Sequence, residues 1–344
     1  MAHGSELRAL SKLQHSEHRA GTGRAAGRIR SLLGAALLTR ALLITNPFAA
    51  RADARAVTAI LKILGRGGWN VDLRTITGPG EARRIAEESL GEGFDVLVSH
   101  GGDGTAMQVA AGIAGSGVAL GVVPGGTGNV LAGNLLLPRS ATGAARALLK
   151  ARAHAIDLGV VQRSDGAHYF AVVAGTGFDA QLMAGTGRQE KRRWKLGAYI
   201  ARAALSLTAV RSAPHRVTVD DATHEIRAAM LLVLNCGRLP PGFLNLRETL
   251  APDDGWLDIV ALDADGAIQS VQAVLEMLFR RNGTSKLQRV WWGRGRAVRV
   301  ELTEGVPRPV QLDGELTGTT PFEARLLPRA LAVLVGPRFK AFDG

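Results

Sequence analysis

The chain has 344 residues, 46% hydrophobic and 21% charged, with a net charge of +12. That length supports two domains with full cores, and the single cysteine, Cys236, excludes an internal disulfide framework and fits a reducing compartment. No uninterrupted apolar run reaches the roughly 18 residues of a spanning helix, while the cationic excess favours anionic surfaces, either acidic lipid headgroups or nucleic acid.

Residues 1–38 read as a basic extension, of which Met1 to Arg30 is rich in Ala, Gly, Arg and His and reads as disordered or loosely helical. Ser31 to Leu38 is too short and lacks the small-residue cleavage site of a secretory signal. From Ala41 the pattern alternates: a strand to Thr45, a helix over Arg51 to Leu64, a strand over Trp69 to Thr77 and an amphipathic helix over Gly80 to Leu90. A buried strand at Phe94 to Ser99 and a helix from Ala106 to Ile113 follow. Next come a strand at Val118 to Val123, a helix from Val130, and a helix over Ser140 to Lys150. Repeated strand, helix and parallel strand predict a doubly wound sheet. Past Arg152 short strands dominate: His154 to Gln162, Ala167 to Ala174, Arg216 to Val219, Glu225 to Cys236, Trp256 to Leu262, Val290 to Glu301 and Pro309 to Leu312. Helices over Lys195 to Val210 and Gly266 to Arg281 interrupt them, and the whole predicts a second, β-sandwich domain.

Two adjacent strands end in glycine-rich loops that open helices: Gly101-Gly102-Asp103-Gly104-Thr105 and Pro124-Gly125-Gly126-Thr127-Gly128-Asn129. Glycine lets backbone N–H groups approach a phosphate, and a helix start adds partial positive charge. Parallel neighbours end on one sheet edge, so both loops face one crevice, where Thr127 and Asn129 add side-chain donors. Asn46, ending the first strand, and Thr77, ending the second with Thr75 as alternative, lie on that edge too. Either loop alone is more simply a tight turn, with Asp103 as a helix cap. Neither has the lysine of a P-loop or the dinucleotide spacing. Cys236 reads as a small buried apolar residue rather than a nucleophile.

Taken in order, these loops resemble the catalytic domain of the diacylglycerol kinase and sphingosine kinase superfamily, bacterial diacylglycerol kinase-like lipid kinases above all. The resemblance takes in Ile44-Thr45-Asn46-Pro47, both glycine loops, Gly175-Thr176-Gly177-Phe178-Asp179-Ala180, Ala251-Pro252-Asp253-Asp254-Gly255-Trp256-Leu257-Asp258 and Leu312-Asp313-Gly314-Glu315. It implies an ATP-binding α/β domain over 39–152, a β-sandwich lipid-substrate domain over 153–320, and a segment, 321–344, returning to the first domain. It also implies ATP and Mg²⁺. Glu315 is then the base, and Asp103 a Mg–ATP ligand or hydroxyl orienter, with the base role of Asp103 kept open. Nucleotide contacts fall to Asn46, Thr77, Gly101, Gly102, Gly104, Thr105, Gly125, Gly126, Thr127 and Asn129. A structural Mg²⁺ would sit on Asp254 with the carbonyls of Ala251 and Trp256; on the residues alone, Asp254-Gly255 is a metal-free type I′ turn, and Asp313-Gly314-Glu315 an ordinary surface turn. Gln108, where the family often has Glu, and Val130, where it often has Asp, depart from the pattern and reduce local negative charge.

The expected activity is ATP-dependent phosphorylation of a lipid hydroxyl, diacylglycerol-like or sphingoid, in phospholipid metabolism. The expected location is cytoplasmic, with peripheral contact to anionic membrane, and a homodimer is left open. The basic cluster Arg188 to Lys195, with Trp194, before an apolar stretch to Leu207 suits a membrane interface. No interleaved aromatic and basic motif suits nucleic acid. Two alternatives stand: a kinase of a soluble substrate, NAD kinase being nearest, and a non-catalytic lipid- or nucleotide-binding regulator.

Overall fold

The computed structural model describes residues 39–177, 210–239, 244–246, 250–279 and 288–342. The basic extension, Phe178 to Ala180, the cluster at 188–195 with its apolar follower, and Pro240-Pro241-Gly242 lie outside the described residues.

Four parallel strands, β1 (Arg40–Thr45), β2 (Asn70–Thr75), β3 (Val96–Gly101) and β4 (Ala119–Pro124), are ordered β2-β1-β3-β4. They alternate with α1 (Ala54–Arg66), α2 (Glu81–Ser89) and α3 (Asp103–Ile113), and α4 (Val130–Asn134) and α5 (Ala141–Leu148) follow. Every residue of β3 and β4 is buried, because helices cover both faces of a parallel sheet; hence their unbroken apolar runs. Helix α1 begins at Asp53, whose carboxylate accepts the Ala56 N–H at 2.7 Å, a cap worth about 1 kcal/mol.

The chain continues through β5 (Arg152–Arg163), β6 (Gly166–Phe170), β7 (Val173–Gly177), β8 (Ala213–Val219), β9 (Ala222–Ala228), β10 (Met230–Leu234), β11 (Arg238–Leu239), β12 (Leu244–Asn245) and β13 (Leu257–Leu262). Then come α6 (Gly266–Phe279), β14 (Val290–Gly295), β15 (Ala297–Leu302), β16 (Pro309–Leu312), β17 (Glu315–Thr319) and β18 (Phe322–Val335). One sheet is entirely antiparallel, β14-β13-β10-β7-β16-β17. The other extends the parallel strands as β4-β18-β15-β8-β9, with β5 also paired to β18 and β6 to β5.

Strand β18 joins the two halves. Near its end it pairs parallel with β4 at Val333 and Leu120; near its start it pairs antiparallel with β15, and along most of its length with β5. A bulge between Leu327 and Leu331 bends it, and there the Arg329 N–H donates to Asp157 at 2.7 Å. The other Asp157 oxygen accepts the Gly255 N–H at 2.8 Å, tying the bend to the Asp253-Asp254-Gly255 loop.

Strand β10 shows why the sandwich strands read as continuous apolar runs. Leu231 and Val233 face the core between the sheets, while Leu232 and Leu234 pack with Ala273 and Met277 of α6. Three segments expected as single strands are each split in two. Ala167 to Ala174 breaks between β6 and β7, Glu225 to Cys236 at Ala229, and Val290 to Glu301 at Arg296. At every break the chain crosses from one sheet to the other. Hydrophobicity stays high through such corners because both flanking strands are buried, so periodicity does not mark them.

Candidate active site

β1, β3 and β4 run parallel, with Thr45 beside His100 and Gly101 beside Pro124. Their C-terminal ends, and the two glycine loops, therefore share one sheet edge. The loops pack backbone to backbone. Gly125 N–H donates to the Gly101 carbonyl at 2.7 Å, and an added β-carbon on Gly126 would lie 2.6 Å from Cα of Gly102. Gly125 and Gly126 are required by the contact between loops, their added β-carbons meeting the backbone of Gly101 at 3.2 Å and of Gly102 at 2.6 Å. The Asn46 N–H donates to the His100 carbonyl at 2.9 Å, and Asn46 Nδ2 donates to Thr105 Oγ1 at 2.9 Å. Thr105 is buried, and its side chain fills the space beside Gly101.

Asp103 opens α3 and reaches the other loop. Its Oδ1 accepts the Leu131 N–H at 3.1 Å, closing the start of α4, and burial pushes its carboxyl above the usual range despite amide donors. Asn129 also serves its own loop. Its backbone is left-handed, at φ 53°, and its side chain closes on Gly126: Oδ1 accepts that residue's N–H at 3.0 Å and Nδ2 donates to its carbonyl at 2.8 Å. Thr127 and Gly128 form the exposed tip. Thr77 lies past the end of β2, and its hydroxyl and N–H both donate to Glu81 in the first turn of α2.

The sandwich supplies Glu315. Asp313 and Gly314, at φ 47° and 91°, form a two-residue hairpin turn that pairs Leu312 with Glu315. Glu315 opens a strand, where a surface turn was the plain reading. The Asp313 carboxylate accepts N–H groups of Ala171, Val172 and Val173 at 2.7, 3.0 and 2.7 Å, fastening the hairpin to the corner between β6 and β7. Burial pushes its carboxyl up to about 7 against those donors. So held, the Glu315 carboxylate lies directly over Gly104, in the volume a side chain there would take. Asp313 went unassigned in the sequence, although an Asp-Gly pair between two strands is a type I′ signal. A cavity of about 110 Å³ lies where the halves meet, lined by Gly104, Met107, Gln108, Tyr169, Leu312 and Glu315 among others.

At the expected metal position, Asp254 Oδ1 accepts the Trp256 N–H at 3.0 Å, and Oδ2 is buried without a hydrogen bond, 3.6 Å from an Arg294 nitrogen. Burial pushes this carboxyl up to about 6. An enclosed oxygen without a hydrogen bond fits a hard cation, which would share it with the Arg294 guanidinium. Only Gly255 of the Asp254-Gly255 pair has positive φ, so the turn is not type I′. Among the described residues no three His, Cys, Asp or Glu side chains cluster as a metal site. Cys236 is buried with its thiol against the Ala171 carbonyl, and desolvation pushes it well above the ordinary thiol range, which excludes a nucleophile.

Two family models match: "Diacylglycerol kinase catalytic domain" over residues 40–161 and "YegS C-terminal NAD kinase beta sandwich-like domain" over 171–335. A diacylglycerol kinase of Mycobacterium tuberculosis is 31% identical over 301 residues, covering 85% of this chain and 93% of that protein. An uncharacterized Synechocystis protein, sll0036, is 26% identical over 73% of this chain, which spans 57% of its length. A solved diacylglycerol kinase from Bacillus anthracis superposes with a TM-score of 0.67 at 21% identity, covering 87% of this chain and 97% of the other, and so shares the fold. The chain belongs to the family of diacylglycerol kinase-like lipid kinases.

Proposed function

We propose that this protein transfers the γ-phosphoryl group of ATP to a hydroxyl of a membrane lipid, diacylglycerol-like or sphingoid, at an acidic membrane surface. The observation that carries the reading is Glu315 over Gly104, which puts a carboxylate from one half beside the glycine loops of the other. ATP phosphates lie against the loop edge, with Thr127, Asn129 and the backbone amides as donors, and Asn46 lies on the same edge towards the nucleoside. Glu315 takes the proton of the attacking hydroxyl as its oxygen bonds to the γ-phosphorus, and the bond to the bridging oxygen breaks to release ADP. Asp103 keeps the two loops in register and offers its outer oxygen to Mg–ATP. Mg²⁺, when bound, spreads the charge of the phosphates, and a second, structural ion suits Asp254 with the Ala251 and Trp256 carbonyls.

Support for action at a membrane comes from the net charge of +12 and from α6, whose Ile268, Val271, Val274 and Leu275 are exposed on a helix without Lys or Arg. Arg280 and Arg281 follow it in sequence, and Arg211 and Arg227 are exposed near its start. An apolar face flanked by cations matches an acidic bilayer. Among the described residues no helix is long and apolar enough to cross a membrane.

The test is transfer of labelled phosphate from ATP to lipids in anionic vesicles, comparing the unaltered protein with Glu315→Gln and Asp103→Asn. Large losses in both are expected, with vesicle binding that weakens in salt and on Ile268→Ser/Leu275→Ser. Full activity in both site variants would place the chemistry elsewhere. Transfer to a soluble acceptor alone would favour the NAD kinase-like reading, which the description of the second family model suggests.

A further inference from the structure

Gln108 sits one turn after Gly104 on α3, and long helical side chains lean back over the preceding turn. Gly104 has no side chain to cover that turn, and Glu315 occupies the space instead. Gln108 and Glu315 therefore converge on the same cavity from opposite halves of the molecule. The Gln108 Oε1 is enclosed without a hydrogen-bond partner. An enclosed amide oxygen left unpaired is costly, so a bound group that satisfies it is favoured. Rotation about the terminal torsion presents either the oxygen or the amide nitrogen to the cavity. The remaining wall is apolar at Met107, Ala111 and Leu312, with Tyr169, Arg83 and His168 at its side.

We propose that Gln108 binds the acceptor beside its reacting hydroxyl, pairing with a second oxygen on the neighbouring carbon, and so selects alcohols that carry an ester or hydroxyl there over plain long-chain alcohols. This rests on the phosphotransfer reading above. The neutral amide adds no further carboxylate to a cavity that Glu315 and Asp313 already line. The other charged groups facing the cavity are Arg83 from α2, His168 from β6 and Asp313 from the hairpin turn, with Asp103 on the first turn of α3.

The test compares Gln108→Leu, Gln108→Asn and Gln108→Glu with unaltered protein, using 1,2-diacylglycerol and a long-chain primary alcohol in mixed micelles. Unaltered protein should prefer the diacylglycerol by about tenfold, the discrimination one hydrogen bond supplies. Gln108→Leu should erase the preference by raising KM for the diacylglycerol, with KM for ATP within about twofold. Gln108→Asn should restore part of it. Gln108→Glu should move the acid limb of the kcat/KM profile upward, as a like charge raises the pKa of its neighbour. An unchanged preference in Gln108→Leu overturns the proposal, as does an equal loss for both acceptors. If Gln108→Leu fails to fold, the preference in Gln108→Asn and the profile of Gln108→Glu decide. Unaltered protein that phosphorylates neither lipid, yet turns over ATP with a soluble acceptor, overturns the lipid kinase reading itself.

Discussion

The carboxylate of Glu315 fills the space above Gly104 that any larger residue would need. The contact spans the two halves of the molecule and ties a glycine in the first glycine-rich loop to a strand of the sandwich. It also makes stability and activity separable at one position. Gly104 lies in the first turn of α3 without positive φ, so alanine is compatible with its backbone and, as a helix former, better by up to about 1 kcal/mol. Gly104→Ala should keep or raise the melting temperature and lower phosphotransfer by at least about tenfold, because Glu315 swings aside. Calorimetry and labelled-ATP assays on one preparation check this; full activity would show that Glu315 need not occupy that position.

The two loops respond asymmetrically to a methyl group. A β-carbon at Gly126 meets backbone at 2.6 Å, whereas one at Gly102 finds its nearest neighbour at an ordinary 3.7 Å. Gly126→Ala should cost about 1–3 kcal/mol, the usual range for overpacking, and reduce ATP affinity as the loops part. Gly102→Ala should cost less than about 0.5 kcal/mol. Urea unfolding of the pair measures the difference, and equal values would show that the loops do not bear on each other.

His100 is buried, with Nδ1 3.1 Å from Thr45 Oγ1 and Nε2 without a partner. Desolvation lowers its pKa to about 4. A depressed folded value means the unfolded chain binds the proton first. The stabilising effect is therefore complete above about 6.5 and is lost as pH falls towards 4. Asp313 works oppositely: its raised value stabilises below about 4, and that contribution is lost as pH rises through about 7. Comparing each with its own variant separates them. Between pH 7 and 5, unaltered protein should lose on the order of 2 kcal/mol more than His100→Gln, read from denaturant midpoints. Parallel curves would exclude a neutral buried His100.

Asp254 provides a check on the cation that does not depend on turnover. Millimolar Mg²⁺ should raise the melting temperature of unaltered protein, by up to about 2.7 kcal/mol of stabilisation at a hundredfold excess over Kd, and chelation should reverse it. Asp254→Asn should abolish the shift while leaving the metal-free protein folded, since the Trp256 N–H still finds an oxygen. An equal shift in both would place the ion away from Asp254.

Much of this protein is legible in the linear chain because its signals are local. Apolar runs ending in glycine at Gly101 and Gly125 mark buried parallel strands, and the sheet twist and crossover rules then put both exits on one edge. The sandwich is legible in kind but not in its corners, since Ala229 and Arg296 lie inside runs whose hydrophobicity never drops. The side-chain assignments depend on partners distant in sequence. Asp103 meets Leu131, Asn129 also serves its own loop, and Asp313 collects three amides from a corner some 140 residues away. The sequence by itself determined the strand-end loops, the two-part organisation and the acidic candidates, because backbone conformation and burial are written in residue type and period. Only the tertiary structure decided that Glu315 crosses to Gly104, because that contact depends on where β17 is anchored, and the anchor is a set of hydrogen bonds between segments that no local pattern connects.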